Sequence, residues 1–118
     1  MSFSLNGRTF VPIENSRAGV VDERTKFHFS QTDIHFQARY SGGDILHGHI
    51  IGHFSDAASG ALLYHCETNN GTLKAGRADA QFAEKSNGML TMSLRWEWLS
   101  GANGSGTSKY VEISEATP

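Results

Sequence analysis

The stretch Met89-Leu90-Thr91-Met92-Ser93-Leu94-Arg95-Trp96-Glu97-Trp98-Leu99 alternates without a slip: Leu90, Met92, Leu94, Trp96 and Trp98 take one parity, Thr91, Ser93, Arg95 and Glu97 the other. Successive side chains of a strand point to opposite faces, so this period of two predicts a β-strand with one face buried and one solvated. The same period runs through Ile34 to Tyr40, where Ile34, Phe36, Ala38 and Tyr40 oppose His35, Gln37 and Arg39. It recurs in Thr25 to Ser30, where Phe27 and Phe29 oppose Lys26 and His28.

Extended in both directions, the pattern predicts strands at Thr9–Ile13, Thr25–Ser30, Ile34–Tyr40, Ile45–Phe54, Ala61–Glu67, Thr72–Phe82, Met89–Leu99 and Thr107–Ile113. The gaps carry turn chemistry: Gln31-Thr32-Asp33, Ser41-Gly42-Gly43-Asp44, Asn69-Asn70-Gly71 and Ser86-Asn87-Gly88. Asn-Gly and Gly-Gly supply the positive φ angles of tight hairpins. Most gaps are too short for the dozen or more residues of a parallel crossover, so neighbours run antiparallel. Helix signals are sparse. Glu14 to Arg24 has no apolar stripe, and Ala78 to Lys85 offers, as the one alternative, a helix of about two turns.

An open meander of this length would expose two edges, and closure removes them. The expected fold is therefore all-β, an eight-stranded antiparallel up-and-down β-barrel spanning 1–118 as one domain, with a frayed tail at 114–118. Barrels of eight strands have an interior either filled by side chains or holding one small ligand. On Ile45–Phe54 the inward parity is read as Leu46, Gly48, Ile50, Gly52 and Phe54, against Ile45, His47, His49, Ile51 and His53. Gly76, Ala78, Ala80 and Phe82 point in on the sixth strand, and Gly48 and Gly52 leave room for a bulky neighbour such as Trp96. The candidate ligand-binding set is Phe36, Tyr40, Trp96 and Trp98, with polar contacts from Tyr64 or His65 and from Glu112. Local alternation does not decide between Tyr64 and His65.

Charge and motifs narrow the function classes. Ten basic against 12 acidic side chains give a net charge of -2, which argues against nucleic acid, since phosphate binding needs a basic face. No run of about 18 apolar residues predicts a membrane span. Met1 to Phe10 lacks the basic start and apolar stretch of a signal peptide, so a cytoplasmic location is expected. The single cysteine, Cys66, excludes an internal disulfide. Its neighbour His65 points to the other face of the strand, so the two do not make a nucleophile and base. Alternating His47 and His49, with His53 in the same parity, raise the question of a metal ion. They sit on the solvent face with no carboxylate at short spacing, so neither a metal nor a cofactor is expected. Two other classes compete with a small-molecule binder. One is a barrel enzyme, an isomerase or lyase using His65 and Glu112 as acid and base; the other is a filled barrel whose exterior forms a homodimer.

The ordered set Tyr40-Ser41-Gly42-Gly43, Gly48-x-Ile50-x-Gly52, Tyr64-His65, Asn70-Gly71-x-Leu73, Trp96-x-Trp98-x-Ser100-Gly101, Gly106-x-Ser108 and Glu112 resembles a group of short bacterial proteins often labelled "N-acetylglutamate synthase". The resemblance runs from about Thr9 to Glu112 and implies a lipocalin-like, calycin-type barrel. It does not imply the labelled reaction. Acetyl-CoA-dependent transferases hold pyrophosphate on a Gln/Arg-x-x-Gly-x-Gly/Ala loop at a helix N-terminus. Here Arg39 to Asp44 comes nearest, ends in Asp44 and precedes no helix. His47, His49 and His53 lie outside that family's pattern, and Arg95 stands where it has an acidic residue.

Overall fold

The computed structural model describes residues 3–15 and 21–114. These form β1 (Thr9–Asn15), β2 (Lys26–Thr32), β3 (His35–Gly42), β4 (Ile45–Phe54), β5 (Ser59–Thr68), β6 (Leu73–Glu84), β7 (Leu90–Ser100) and β8 (Ser105–Ile113). Each strand pairs antiparallel with the next and β8 returns to β1, closing an up-and-down barrel. The turns are built as their residues dictate. Between β3 and β4, Gly42 and Gly43 take φ of 113° and 64°. Between β2 and β3, Asp33 takes φ 55°, a conformation that Asp tolerates better than most side chains.

Alternation sorts the core. Phe27 and Phe29, Phe36, Ala38 and Tyr40, Ala78, Ala80 and Phe82, and Leu90, Met92, Leu94 and Trp96 are all buried, while the residues between them face solvent or the rim. The alternative helix at Ala78 to Lys85 is strand up to Glu84, the end of β6, because Ala78 pairs with Trp96 and Phe82 with Met92 across to β7. Past Ser114, the expected frayed tail lies outside the described residues.

The phase on two strands differs from the sequence expectation. Ile45 is buried and Leu46 is 55% exposed, the reverse of the alternation reading. The register slips on β4 between Ile45 and His47 against β5, and on β3 between Tyr40 and Gly42 against β4. Each bulge inserts an unpaired residue and resets the parity. Ile34 is exposed because it belongs to the turn that precedes β3 rather than to the strand.

The strand glycines of β4 and β6 accommodate cross-strand aromatic partners other than Trp96. Tyr40 faces Gly48 and Phe36 faces Gly52 across β3 and β4, while Tyr64 faces Gly76 across β5 and β6. In each pair the aromatic ring lies over the glycine so closely that an added Cβ would collide with it. Aromatic residues laid across bare strand glycines recover the packing that glycine lacks.

The end of the barrel that holds Phe36, Phe54 and Phe82 is plugged by the segment before β1. The Phe3 ring sits 6.2 Å from Phe54 and 6.3 Å from Phe82. Leu5 is fully buried, and its amide donates to Gln31 Oε1 at 2.8 Å. Beside it Arg8 Nη1 donates to Glu112 Oε1 at 2.6 Å, and the same oxygen accepts the Leu90 amide at 2.9 Å.

Candidate functional site

With one end plugged, the opposite end carries a cavity lined by Asn15, Val21, Phe27, Tyr40, Ile50, Tyr64, Leu94, Trp96, Trp98 and Tyr110. Two aromatic walls face it. On one side Phe27 stacks on Tyr40 with centroids 4.6 Å apart and meets Tyr110 edge-on at 5.2 Å. On the other, Trp98 meets Tyr64 edge-on at 5.3 Å and Trp96 at 6.0 Å. Trp96 is buried, whereas Trp98 is partly exposed at the rim with Lys74 Nζ 5.6 Å from its ring centroid.

The cavity has a volume of about 40 Å³. A water needs at least roughly 10–15 Å³ on this measure, so about three would fit, against the roughly 300 Å³ or more of a drug-sized pocket. The barrel is a packed body with an aromatic dimple at one end. A hollow of about 600 Å³ over Ile51, His53, Leu63 and Arg77 is larger, but it is an open groove on the outer wall.

The polar groups of the cavity are few. Tyr40 donates its hydroxyl to the His65 carbonyl at 3.1 Å, and Tyr64 donates to the Glu97 carbonyl at 3.2 Å. Ser108 Oγ donates to the Tyr110 hydroxyl oxygen at 2.8 Å. Burial pushes the Tyr110 hydroxyl up to about 12, and it also lifts Tyr40 and Tyr64 above the ordinary tyrosine range. All three are therefore neutral across physiological pH. Burial likewise raises the Cys66 thiol, which keeps it away from the reactive thiolate form.

One group stands out. Asn15 Nδ2 donates to the Val21 carbonyl at 3.0 Å, but its Oδ1 is buried with no hydrogen-bond partner among the described residues. An unpaired buried acceptor costs about 1–3 kcal/mol, so such atoms are rare and call for an explanation. Asn15 enters the site because β1 runs two residues past its expected end at Ile13, across a register shift between Pro12 and Glu14. Asn15 and Val21 were not legible as site residues, since neither belongs to an alternating run.

Of the sequence candidates, Tyr40, Tyr64, Trp96 and Trp98 come together here, and three do not. Phe36 is buried at the plugged end, 5.2 Å from Phe54 and 6.2 Å from Phe82 by ring centroids; four residues along β3 carry it roughly 13 Å from Tyr40. His65 is exposed on the outer wall, because β5 turns Leu62, Tyr64 and Cys66 inward. Glu112 lies beside Leu90, at the far end of β7 from Trp98, and its carboxylate is held by Arg8. His65 and Glu112 thus share no cavity, and an acid–base pair built on them has no common substrate position. His47, His49 and His53 all lie on the outer face. His47 Nε2 contacts Glu67 Oε1 at 3.1 Å, and no group of three or more His, Cys, Asp or Glu among the described residues surrounds a metal position.

Neither the curated proteins nor the solved structures contain a significant match to this sequence. Residues 3–113 match the profile of the family described as "Avidin-like protein". That match covers nearly the whole barrel, plug and aromatic end included, and the chain belongs to the Avidin-like family.

Proposed function

We propose that this protein binds a small, flat, largely apolar molecule at the open end of the barrel, with an N–H or O–H of the ligand donating to Asn15 Oδ1. The observation that carries the reading is that buried acceptor, without a partner among the described residues, in a cavity otherwise lined by aromatic and aliphatic side chains. Ligand sites are mostly apolar with a few placed polar groups. A partner for Asn15 Oδ1 would remove the cost of leaving it unsatisfied. The small cavity accepts a ring edge, so the body of the ligand lies against Tyr64 and the half-exposed Trp98, with Lys74 at the rim. Avidin-like barrels bind small molecules such as biotin, which supports this class of function.

The test is a tryptophan fluorescence titration with a panel of neutral planar N–H heterocycles, biotin among them. Binding should change the emission of the wild-type protein. Trp98→Ala and Asn15→Leu should each weaken it at least tenfold, about 1.4 kcal/mol. A panel that leaves the emission unchanged, or a ligand indifferent to both substitutions, overturns the reading.

A second reading is self-association through the outer wall. Ile51 and Leu63 face each other across β4 and β5 and are 52% and 51% exposed. Directly paired exposed aliphatics on one sheet face favour burial against another surface. Assembly of two copies through this face is compatible with ligand binding at the barrel end.

A further inference from the structure

We infer that His49 and His65 form a two-imidazole chelate for a borderline divalent transition-metal ion on the outer wall of the barrel. The site is independent of the aromatic end. His49 on β4 and His65 on β5 are direct cross-strand partners, a relation that brings Cβ atoms to about 4.5–5.5 Å. Their ring centroids are 5.7 Å apart and the ring planes cross at 57°. Two imidazoles bound to one tetrahedral ion at about 2.0–2.1 Å per Zn–N bond would have centroids about 5.2 Å apart. The rings therefore stand about half an ångström from chelating distance, within reach of small χ adjustments.

The surroundings suit an ion of this class. His49 Nε2 lies 3.2 Å from Gln37 Oε1. A carbonyl oxygen only accepts, so this contact is a hydrogen bond when Nε2 carries the proton, and in that neutral tautomer Nδ1 keeps the lone pair for the ion. Metal-bound histidines are commonly oriented by such a bond from the other ring nitrogen. His65 faces Ala75 on its other side, which leaves the ring unobstructed by a large neighbour. The groove over His49 and His65 also holds His47, Glu67 and Lys74 and has a volume of about 340 Å³; the remaining coordination positions go to water. Arg39, which pairs with His49 from β3, and Lys74 in the groove oppose an incoming cation, and the Glu67 carboxylate, one row along the same face, offsets one of the two. Imidazole donors without an oxygen cage select Cu²⁺, Ni²⁺ and Zn²⁺ over Mg²⁺ and Ca²⁺. His35 and His53 share a cross-strand register but make no ring contact among the described residues, which makes them an internal control.

Calorimetric titration of untagged protein with Cu²⁺, Ni²⁺ and Zn²⁺ chlorides tests the inference. The expected result is one ion per chain, with Cu²⁺ bound more tightly than Ni²⁺ or Zn²⁺. His49→Asn and His65→Asn should each lower affinity at least tenfold, while His53→Asn and His47→Asn leave it within about twofold. Thermal unfolding of the metal-free variants checks that each is folded. On the wild-type protein, substoichiometric Ni²⁺ should broaden the ring-proton signals of His49 and His65 before those of the other histidines. Affinity unchanged in both His49→Asn and His65→Asn, an equal loss in His47→Asn or His53→Asn, or uniform broadening overturns the assignment.

Discussion

Tyr64 lies directly across the sheet from Gly76, its phenol ring resting on the bare glycine as its hydroxyl donates to the Glu97 carbonyl on β7. This one residue links β5, β6 and β7 at the open end and forms the seat against which Trp98 packs. Gly76→Ala should therefore act on the site as well as on stability. An added methyl forces the ring aside at about 1–3 kcal/mol, the usual cost of overpacking. Differential scanning calorimetry should show a lowered Tm, with a changed Trp98 emission. In Gly76→Ala/Tyr64→Leu the two effects should be less than additive, because the collision with the ring is gone and only that with the Glu97 carbonyl oxygen remains.

All three tyrosines line the site, and burial raises the hydroxyl of each. A group whose folded pKa is raised stabilises fully below its unfolded value, and the stability is lost as pH rises toward the folded value. The window for Tyr110 opens at about pH 10, the unperturbed tyrosine value, and extends to about 12. Across it, Tyr110 alone should remove on the order of 3 kcal/mol. Absorbance at 295 nm should show no tyrosinate on the ordinary curve, and then a cooperative rise that coincides with loss of the β-sheet circular dichroism signal. A noncooperative titration near pH 10 would contradict the packing described.

At the plugged end, Glu112→Leu removes the acceptor of both Arg8 and the Leu90 amide, whose partner side chains are 23% and 11% exposed for the Arg8–Glu112 pair. The expected loss is about 1–3 kcal/mol, the cost of unpairing partly buried polar groups. Trp98 emission and any ligand affinity should stay unchanged, since Leu90 and Trp98 stand roughly 27 Å apart along β7. A parallel loss of binding would show that the two ends are coupled.

For the outer wall, Ile51→Lys combined with Leu63→Lys should leave the fold intact, because both side chains are more than half exposed. Sedimentation velocity across a concentration series should show the wild-type protein associating and the double variant remaining monomeric. A wild-type chain monomeric at high concentration removes the self-association reading.

The architecture was legible because each strand buries a single face, so a period of two marks it, and because glycine-bearing gaps force antiparallel neighbours. Phase was legible only where nothing interrupts the ladder. The bulges beside Ile45 inverted the reading of Leu46, and a bulge adds a residue without any compositional mark. On β5 both faces carry apolar groups, which is why Tyr64 and His65 could not be separated. The glycine at position 76 held the answer, since a strand glycine needs a cross-strand ring. Phe36 and Tyr40 share a face, but a shared face is not a shared end. The plug was not readable, because the two apolar positions Phe3 and Leu5 are too short a run to mark an element, and Glu112 finds its partner Arg8 more than a hundred positions away.

The wall of the barrel is uneven. From Thr9 to Asn15, β1 is bonded along its length to β8, but among the described residues it pairs with β2 only through Thr9↔His28 and Phe10↔Phe27. Past Phe10 the ladder to β2 stops, next to Asn15 and the aromatic end. Hydrogen exchange should resolve this as a gradient, with β1 amides that face β2 exchanging before those of β6 and β7. Local opening of the wall should start at this short seam, on an energetic scale well below global unfolding.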